Sequence, residues 1–195
     1  MSLVLRSARG AAVSGADWLG VARGADARVL DHARGPVLDV GCGPGRHARA
    51  LLERGVPTLG IDVTPPVVEL ARARGVDVLQ RSAFERVPRR GAWGTVLLLD
   101  GNVGIGGDPQ VLLTRVRELV AADGRALVEC VGPRVEPESH AARLEVGGRA
   151  GPWFRWCTVG IDELGPLAVA SGFAVGAQWH DEGRWFARLD RVGTA

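Results

Sequence analysis

Three carboxylates and one glycine-rich turn hold most of the chemistry available to this chain. In the stretch VLDVGCGPGRH, residues 37–47, Asp39 sits among apolar residues and is followed by Gly41, Cys42, Gly43, Pro44 and Gly45. Glycines at alternate positions let the backbone bend sharply and lie close to a ligand that a β-carbon would hold off. Asp62 closes the run PTLGI and Asp100 closes WGTVLLL, so each carboxylate stands where a buried strand would end. In an open α/β sheet the carboxyl ends of the strands border one crevice, and the first helix points its free N–H groups and positive dipole end into it. A carboxylate at such an edge is placed to accept hydrogen bonds from ribose hydroxyls.

The glycine spacing narrows the ligand. A dinucleotide fingerprint wants glycines at the first, third and sixth places; here the fifth place is Gly45 and the sixth is Arg46. A phosphate-clamping loop needs Gly-Lys-Ser/Thr, and the chain contains no lysine. With Asp39 before the GxGxG turn, the segment resembles motif I of the class I S-adenosylmethionine-dependent methyltransferases. The resemblance runs from about Val37 to the C-terminus. It implies S-adenosyl-L-methionine as cofactor, with Asp39, Gly41, Cys42, Gly43 and Gly45 at the motif I turn and Asp62 and Val63 at the ribose. Ser82, Ala83 and Phe84 fall where the family covers the adenine ring, and Ser82 replaces the acidic residue usual there. Phe84 either stacks on adenine or fills core. Asp100, Gly101 and Asn102 fall at motif IV and are nominated for the floor of the active site.

These residues need a scaffold, and the pattern around them supplies one. Val37–Val40 reads as a strand, Arg46 onward as a helix with Ala48, Ala50, Leu51 and Leu52 on its apolar face, and Gly55 as its stop. Further strands are expected at 57–61, 76–79, 93–99 and 126–131, with helices from Pro65 and Pro109, the latter capped by Asp108. Thr64 is expected to cap the helix that begins at Pro65. A last helix at 162–171 and an antiparallel hairpin, 173–180 with 184–190, close the chain. The expected fold is α/β: a doubly wound, mostly parallel seven-stranded sheet with helices on both faces and a C-terminal antiparallel hairpin, the Rossmann-like methyltransferase fold that the resemblance implies.

Residues 1–34 are read as a lead-in, mobile to about residue 15, followed by a capping helix with Trp18, Leu19, Val29 and Leu30 as core contacts. Residues 35–195 form one methyltransferase-like domain. Within it, 132–160 is a connection long enough to be functional, containing a hairpin and gathering His140, Trp153, Phe154 and Trp156; it is read as a substrate lid.

With 195 residues, 46% of them hydrophobic, the chain can bury a substantial core, and no apolar run reaches the roughly 20 residues of a membrane span. No secretory leader is evident, so a cytoplasmic location is expected. A net charge of +2 gives no basic footprint for nucleic acid. Cys42, Cys130 and Cys157 are too scattered for a zinc site or a disulfide framework, and no metal is expected. The expected function is transfer of a methyl group to the oxygen or nitrogen of a small molecule, the alternative being a cofactor-binding module or partner subunit without transfer. Candidate general bases are Asp100, His140 and His47, although an amine acceptor needs none. Oligomeric state is left open.

Overall fold

The computed structural model describes residues 2–193 of the chain. Two short strands, β1 (Leu3–Ser7) and β2 (Ala12–Ser14), precede a 3₁₀ turn at Asp17–Leu19 and helix α1 (Ala25–Leu30). Strand–helix units follow: β3 (Val37–Val40), α2 (Arg46–Glu53), β4 (Thr58–Asp62), α3 (Pro65–Ala73), β5 (Val78–Gln80), β6 (Trp93–Leu98), α4 (Pro109–Leu119) and β7 (Val120–Cys130). The remainder comprises β8 (Glu138–Val146), β9 (Arg149–Ala150), β10 (Phe154–Thr158), α5 (Leu164–Ala170), β11 (Phe173–Asp181) and β12 (Arg184–Arg191).

Seven strands form one sheet in the order β11-β12-β7-β6-β3-β4-β5. The pairs from β7 to β5 are parallel, whereas β12 runs antiparallel to both β7 and β11. This is the expected doubly wound sheet with its closing hairpin. The central strand shows why both faces need helices: Val96 and Leu98 pack with Leu112, Leu113 and Val116 of α4 and Leu164 of α5. The alternate residues Leu97 and Leu99 pack on the other face with Val29 and Leu30 of α1 and Leu51 of α2. A parallel strand buried on both sides reads as an unbroken apolar run, as WGTVLLL does. Asp108 caps α4, its carboxylate accepting from Val111 N at 3.1 Å. Thr64 makes no such side-chain cap on α3; Asp62 Oδ1 instead accepts from Thr64 N at 2.8 Å, so the ribose candidate also orders this turn.

A second sheet, in the order β10-β8-β1-β2 with β9 beside β8, corrects the expectation that residues 1–15 lack regular structure. Leu3 pairs with Val146 and Leu5 with Leu144, antiparallel, and the guanidinium of Arg6 donates to Glu145 at 2.8 Å across the same ladder. Five residues cannot show a sustained period; their pattern becomes meaningful only against a partner strand about 140 residues onward. The hairpin expected in 132–160 is present as β8 paired with β10, Phe154 opposite Ala142 and Trp156 opposite His140. Alternation makes this sheet two-faced. Leu3, Leu5, Ala142, Leu144, Phe154 and Trp156 share one face, while Arg6, Arg143 and Glu145 share the other and pair with one another.

Candidate active site

The apolar face of the small sheet covers the carboxyl edge of the large one, and between them lies a cavity of about 370 Å³. Its floor comes from the β3–α2 turn, the end of β4, residues 81–84 and the segment after β6; its roof comes from Leu3, Leu5, Trp18, Leu144, Phe154 and Trp156.

The floor is shaped by backbone geometry. Gly41, Gly43 and Gly45 have φ of 69°, 53° and 81°, in the left-handed region that a side chain would oppose. A β-carbon at Gly43 would stand in open space, whereas one at Gly41 would meet Asn102 Nδ2 at 2.8 Å. That amide holds the turn in place, donating to the carbonyls of Val40 at 2.8 Å and Gly41 at 3.0 Å. On the other side Asp62 Oδ2 accepts from Gly43 N at 3.0 Å, so Asp62 faces the crevice and grips the turn that forms it. Burial pushes the Asp62 carboxyl up, opposed by the N–H groups of Thr64 and Gly43. Cys42 lines the cavity too, but Gly60 leaves just enough room for its sulfur beneath the turn, and burial raises the thiol far above its usual range.

Val63, Ser82, Ala83 and Phe84 all line the cavity. Ser82 Oγ accepts from Phe84 N at 3.3 Å, and Ser82 N donates to Glu85 Oε2 at 2.8 Å, so this turn is self-braced. Phe84 is 42% exposed and lies over Gly106 at the cavity wall, outside the core.

At the motif IV position Asp100 takes a positive φ of 56°. This conformation presents its carboxylate to two guanidinium groups, Arg46 Nη2 at 2.6 Å and Arg184 Nη2 at 3.5 Å, while its N–H donates to Glu129 Oε2 at 2.7 Å. Gly101, also left-handed at 77°, lies under Trp156: a β-carbon there would be 3.7 Å from the ring.

Behind Asp100 lies a charge network that the sequence reading missed. Arg184 also donates to Asp26 at 2.6 Å and Glu129 at 2.6 Å; His47 Nε2 lies 3.2 Å from the same Asp26 oxygen, and Arg46 Nη2 lies 3.3 Å from it. Asp26 is 6% exposed, and burial alone would raise its carboxyl, yet His47, Arg184 and Arg46 hold it well below the usual carboxylate range. Its members come from α1, the start of α2, β7, β12 and the end of β6, so no window of sequence contains it. Arg46, in the sixth place of the glycine motif, was the one available signal.

Asp39 lies deeper, 1% exposed, and its Oδ2 has no hydrogen-bond partner among the described residues. Burial pushes its carboxyl up to about 6. Of the three candidate bases, Asp100 and His47 border the cavity, each engaged with neighbouring charges. His140 is not a lining residue; its ring nitrogen lies 3.3 Å from the Glu138 carbonyl.

Residues 37–124 match the family model described as a methyltransferase domain. Over its whole length the chain superposes on 89% of an S-adenosylmethionine-dependent methyltransferase from Bacteroides fragilis, solved with S-adenosyl-L-homocysteine, at a TM-score of 0.82 and 26% identity. It is 30% identical over 131 residues to a trans-aconitate 2-methyltransferase of Paracidovorax citrulli, covering 65% of this chain and 50% of that protein. It is 31% identical over 112 residues to a lysine N-methyltransferase of Mus musculus named for an ATP synthase component, covering 54% of this chain and 43% of that one. The chain thus spans about half the length of the curated relatives it matches. Motif I, the strand order, the matched segment and the solved neighbour agree, and together they support a class I S-adenosylmethionine-dependent methyltransferase.

Proposed function

We propose that the protein is an enzyme that transfers the methyl group of S-adenosylmethionine to a small-molecule nucleophile. One observation carries the reading: a single cavity joins the glycine turn and the Asp62 edge to a roof of apolar and aromatic side chains, so donor and acceptor sites adjoin. The floor suits a cationic sulfonium nucleoside. Open space lies over Gly43 and Asp62 stands at the strand tip, while buried Asp39 lies behind the lining residues. Gly41, Gly43, Asp62, Val63, Ser82, Ala83 and Phe84 would hold the nucleoside end, with Asp100 and Asn102 beside the reacting end. When bound, the sulfonium supplies an electrophilic methyl carbon.

The chain's own residues contribute position and dryness. Asn102 fixes the turn, the network around Arg46 and Arg184 fixes Asp100, and the small sheet, including 138–158 of the expected lid, shields the crevice from water. Holding two reactants in line is worth effective molarities of roughly 10⁵ to 10⁸ M, enough for most of the acceleration. With both candidate bases at the cavity tied to guanidinium groups or to each other's partners, an acceptor that presents a lone pair without first losing a proton fits best. Residues 132–160 thus serve as part of the lid. Buried, unpaired Cys42, Cys130 and Cys157 support a reducing, cytoplasmic setting. Among the described residues no helix is long and apolar enough to cross a membrane.

Calorimetry with S-adenosylhomocysteine tests the donor site, and no binding to folded protein at millimolar ligand overturns it. Methylation of members of a panel of phenols, amines and carboxylic acids supports an enzyme; binding without turnover on any of them favours the non-transferring module.

A further inference from the structure

Polarity is divided unevenly along the cavity. At the motif I end every charged side chain on the wall is already engaged: Asp62 by Gly43 N and Thr64 N, Asp100 by Arg46 and Arg184, His47 by Asp26. The roof end is built from Leu3, Leu5, Leu144, Phe154, Trp156 and Trp18. The lid strands do carry charge, but period-2 alternation sends Arg6, Arg143 and Glu145 to the outer face, where both arginines pair with the one carboxylate at 2.8 and 2.9 Å. Two guanidinium groups also line the cavity, at its exposed mouth, and neither has a carboxylate partner among the described residues. Arg81 donates to the Arg86 carbonyl, and Arg155, alternating with Phe154 and Trp156, donates to Ser139 Oγ at 3.0 Å beside Gly107.

The rings are held rather than loose. Phe154 and Trp156 meet at 6.1 Å and 59°, forming a corner, and Trp156 reaches Gly101 on the floor. Trp18 lies against bare Gly15 and Leu3, in space that a β-carbon at residue 15 would take.

We infer that the acceptor site selects a neutral, flat, largely apolar molecule and turns away charged ones of the same shape. This rests on the methyltransferase reading of the cavity. A flat body finds ring edges and faces at the Phe154–Trp156 corner, the geometry in which aromatic groups attract beyond their buried area. A charged group entering the roof end gives up its hydration there: a cation meets no free carboxylate, and an anion finds a counter-charge only back at the mouth, at Arg81 and Arg155, which is costly for either sign in the roof end itself. The competing possibility is specific: tryptophan faces can hold a cation, and an ammonium acceptor would then bind best.

The test uses one bicyclic body with three end groups: naphthalene-2-methanol, 2-naphthoate and 2-naphthylmethylammonium, each titrated at pH 7 into the full chain saturated with S-adenosylhomocysteine. Binding of the alcohol with each ion weaker by about tenfold or more is expected. Trp156→Leu should weaken the alcohol by about fivefold or more and leave S-adenosylhomocysteine affinity within about twofold. Either ion binding as well as the alcohol, or no member binding while S-adenosylhomocysteine does, overturns the inference and leaves the donor site standing. Absence of S-adenosylhomocysteine binding overturns the methyltransferase reading itself. Should Trp156→Leu lose S-adenosylhomocysteine binding, the three-ligand series on the unaltered chain decides alone.

Discussion

The same chemical change at two glycines of one turn should have two different consequences. Gly43 and Gly41 both have positive φ, so a side chain at either costs roughly 1–2 kcal/mol of backbone strain. At Gly43 the added methyl meets nothing in the protein and occupies cavity space, so Gly43→Ala should weaken S-adenosylhomocysteine binding by about tenfold or more at little further cost in stability. At Gly41 it strikes the Asn102 amide, and displacing that amide strands two carbonyls; Gly41→Ala should lower unfolding free energy by a further 1–3 kcal/mol or so in urea titrations. Equal effects of the two substitutions would refute the placement. Asp39 makes a pH prediction. Its folded pKa of about 6 lies above the usual 3.8, so the folded protein holds the proton more tightly, and stability falls as pH rises from about 4 to about 6. The full rise corresponds to about 3 kcal/mol at roughly 1.36 kcal/mol per unit. Asp39→Asn should therefore stabilise the ligand-free protein at pH 8 and lose that advantage below pH 4, measured by denaturant unfolding at both pH values.

Among elements, the small sheet gives the cleanest contrast, because neighbouring residues of β8 face opposite ways. Leu144 lines the cavity while Arg143 lies outside with Glu145 and Trp153. Leu144→Asp should abolish binding of naphthalene-2-methanol and spare S-adenosylhomocysteine. Arg143→Ala removes only a partly exposed ion pair and ring contact, worth about 1 kcal/mol or less, and should leave both ligands unaffected. The reverse outcome in the two titrations would mean that the sheet is turned over.

Across the whole molecule, Arg184 is the tie: from the closing hairpin it reaches Asp26 on the first helix, Asp100 at the active-site floor and Glu129 on β7. Removing it as Arg184→Met leaves three carboxylates around Arg46 and His47, with an expected loss of about 3–5 kcal/mol in chemical unfolding. The loss should shrink in acid. Asp26 is held below its usual range, so its contribution is present above about pH 4 and disappears as falling pH protonates it; a deficit independent of pH would argue against the network. These pairings could not be read beforehand, because they join five elements up to 158 positions apart in the chain. By contrast, the glycine turn, Asp62 and the strand-ending Asp100 were legible, since a local bend, an apolar run and the carboxylate that ends it are adjacent in sequence and α/β topology sends strand ends to one edge. The sequence by itself determined the doubly wound sheet, pointed to the methyltransferase family and put the glycine turn, Asp62 and Asp100 at one edge of that sheet. Only the tertiary structure decided that Leu3 and Leu5 roof the cavity, that Asp100 is bound by arginines instead of standing free, and that His140 stays outside. Strand partners and buried ion pairs are chosen by which surfaces meet in space, and no local pattern encodes that meeting.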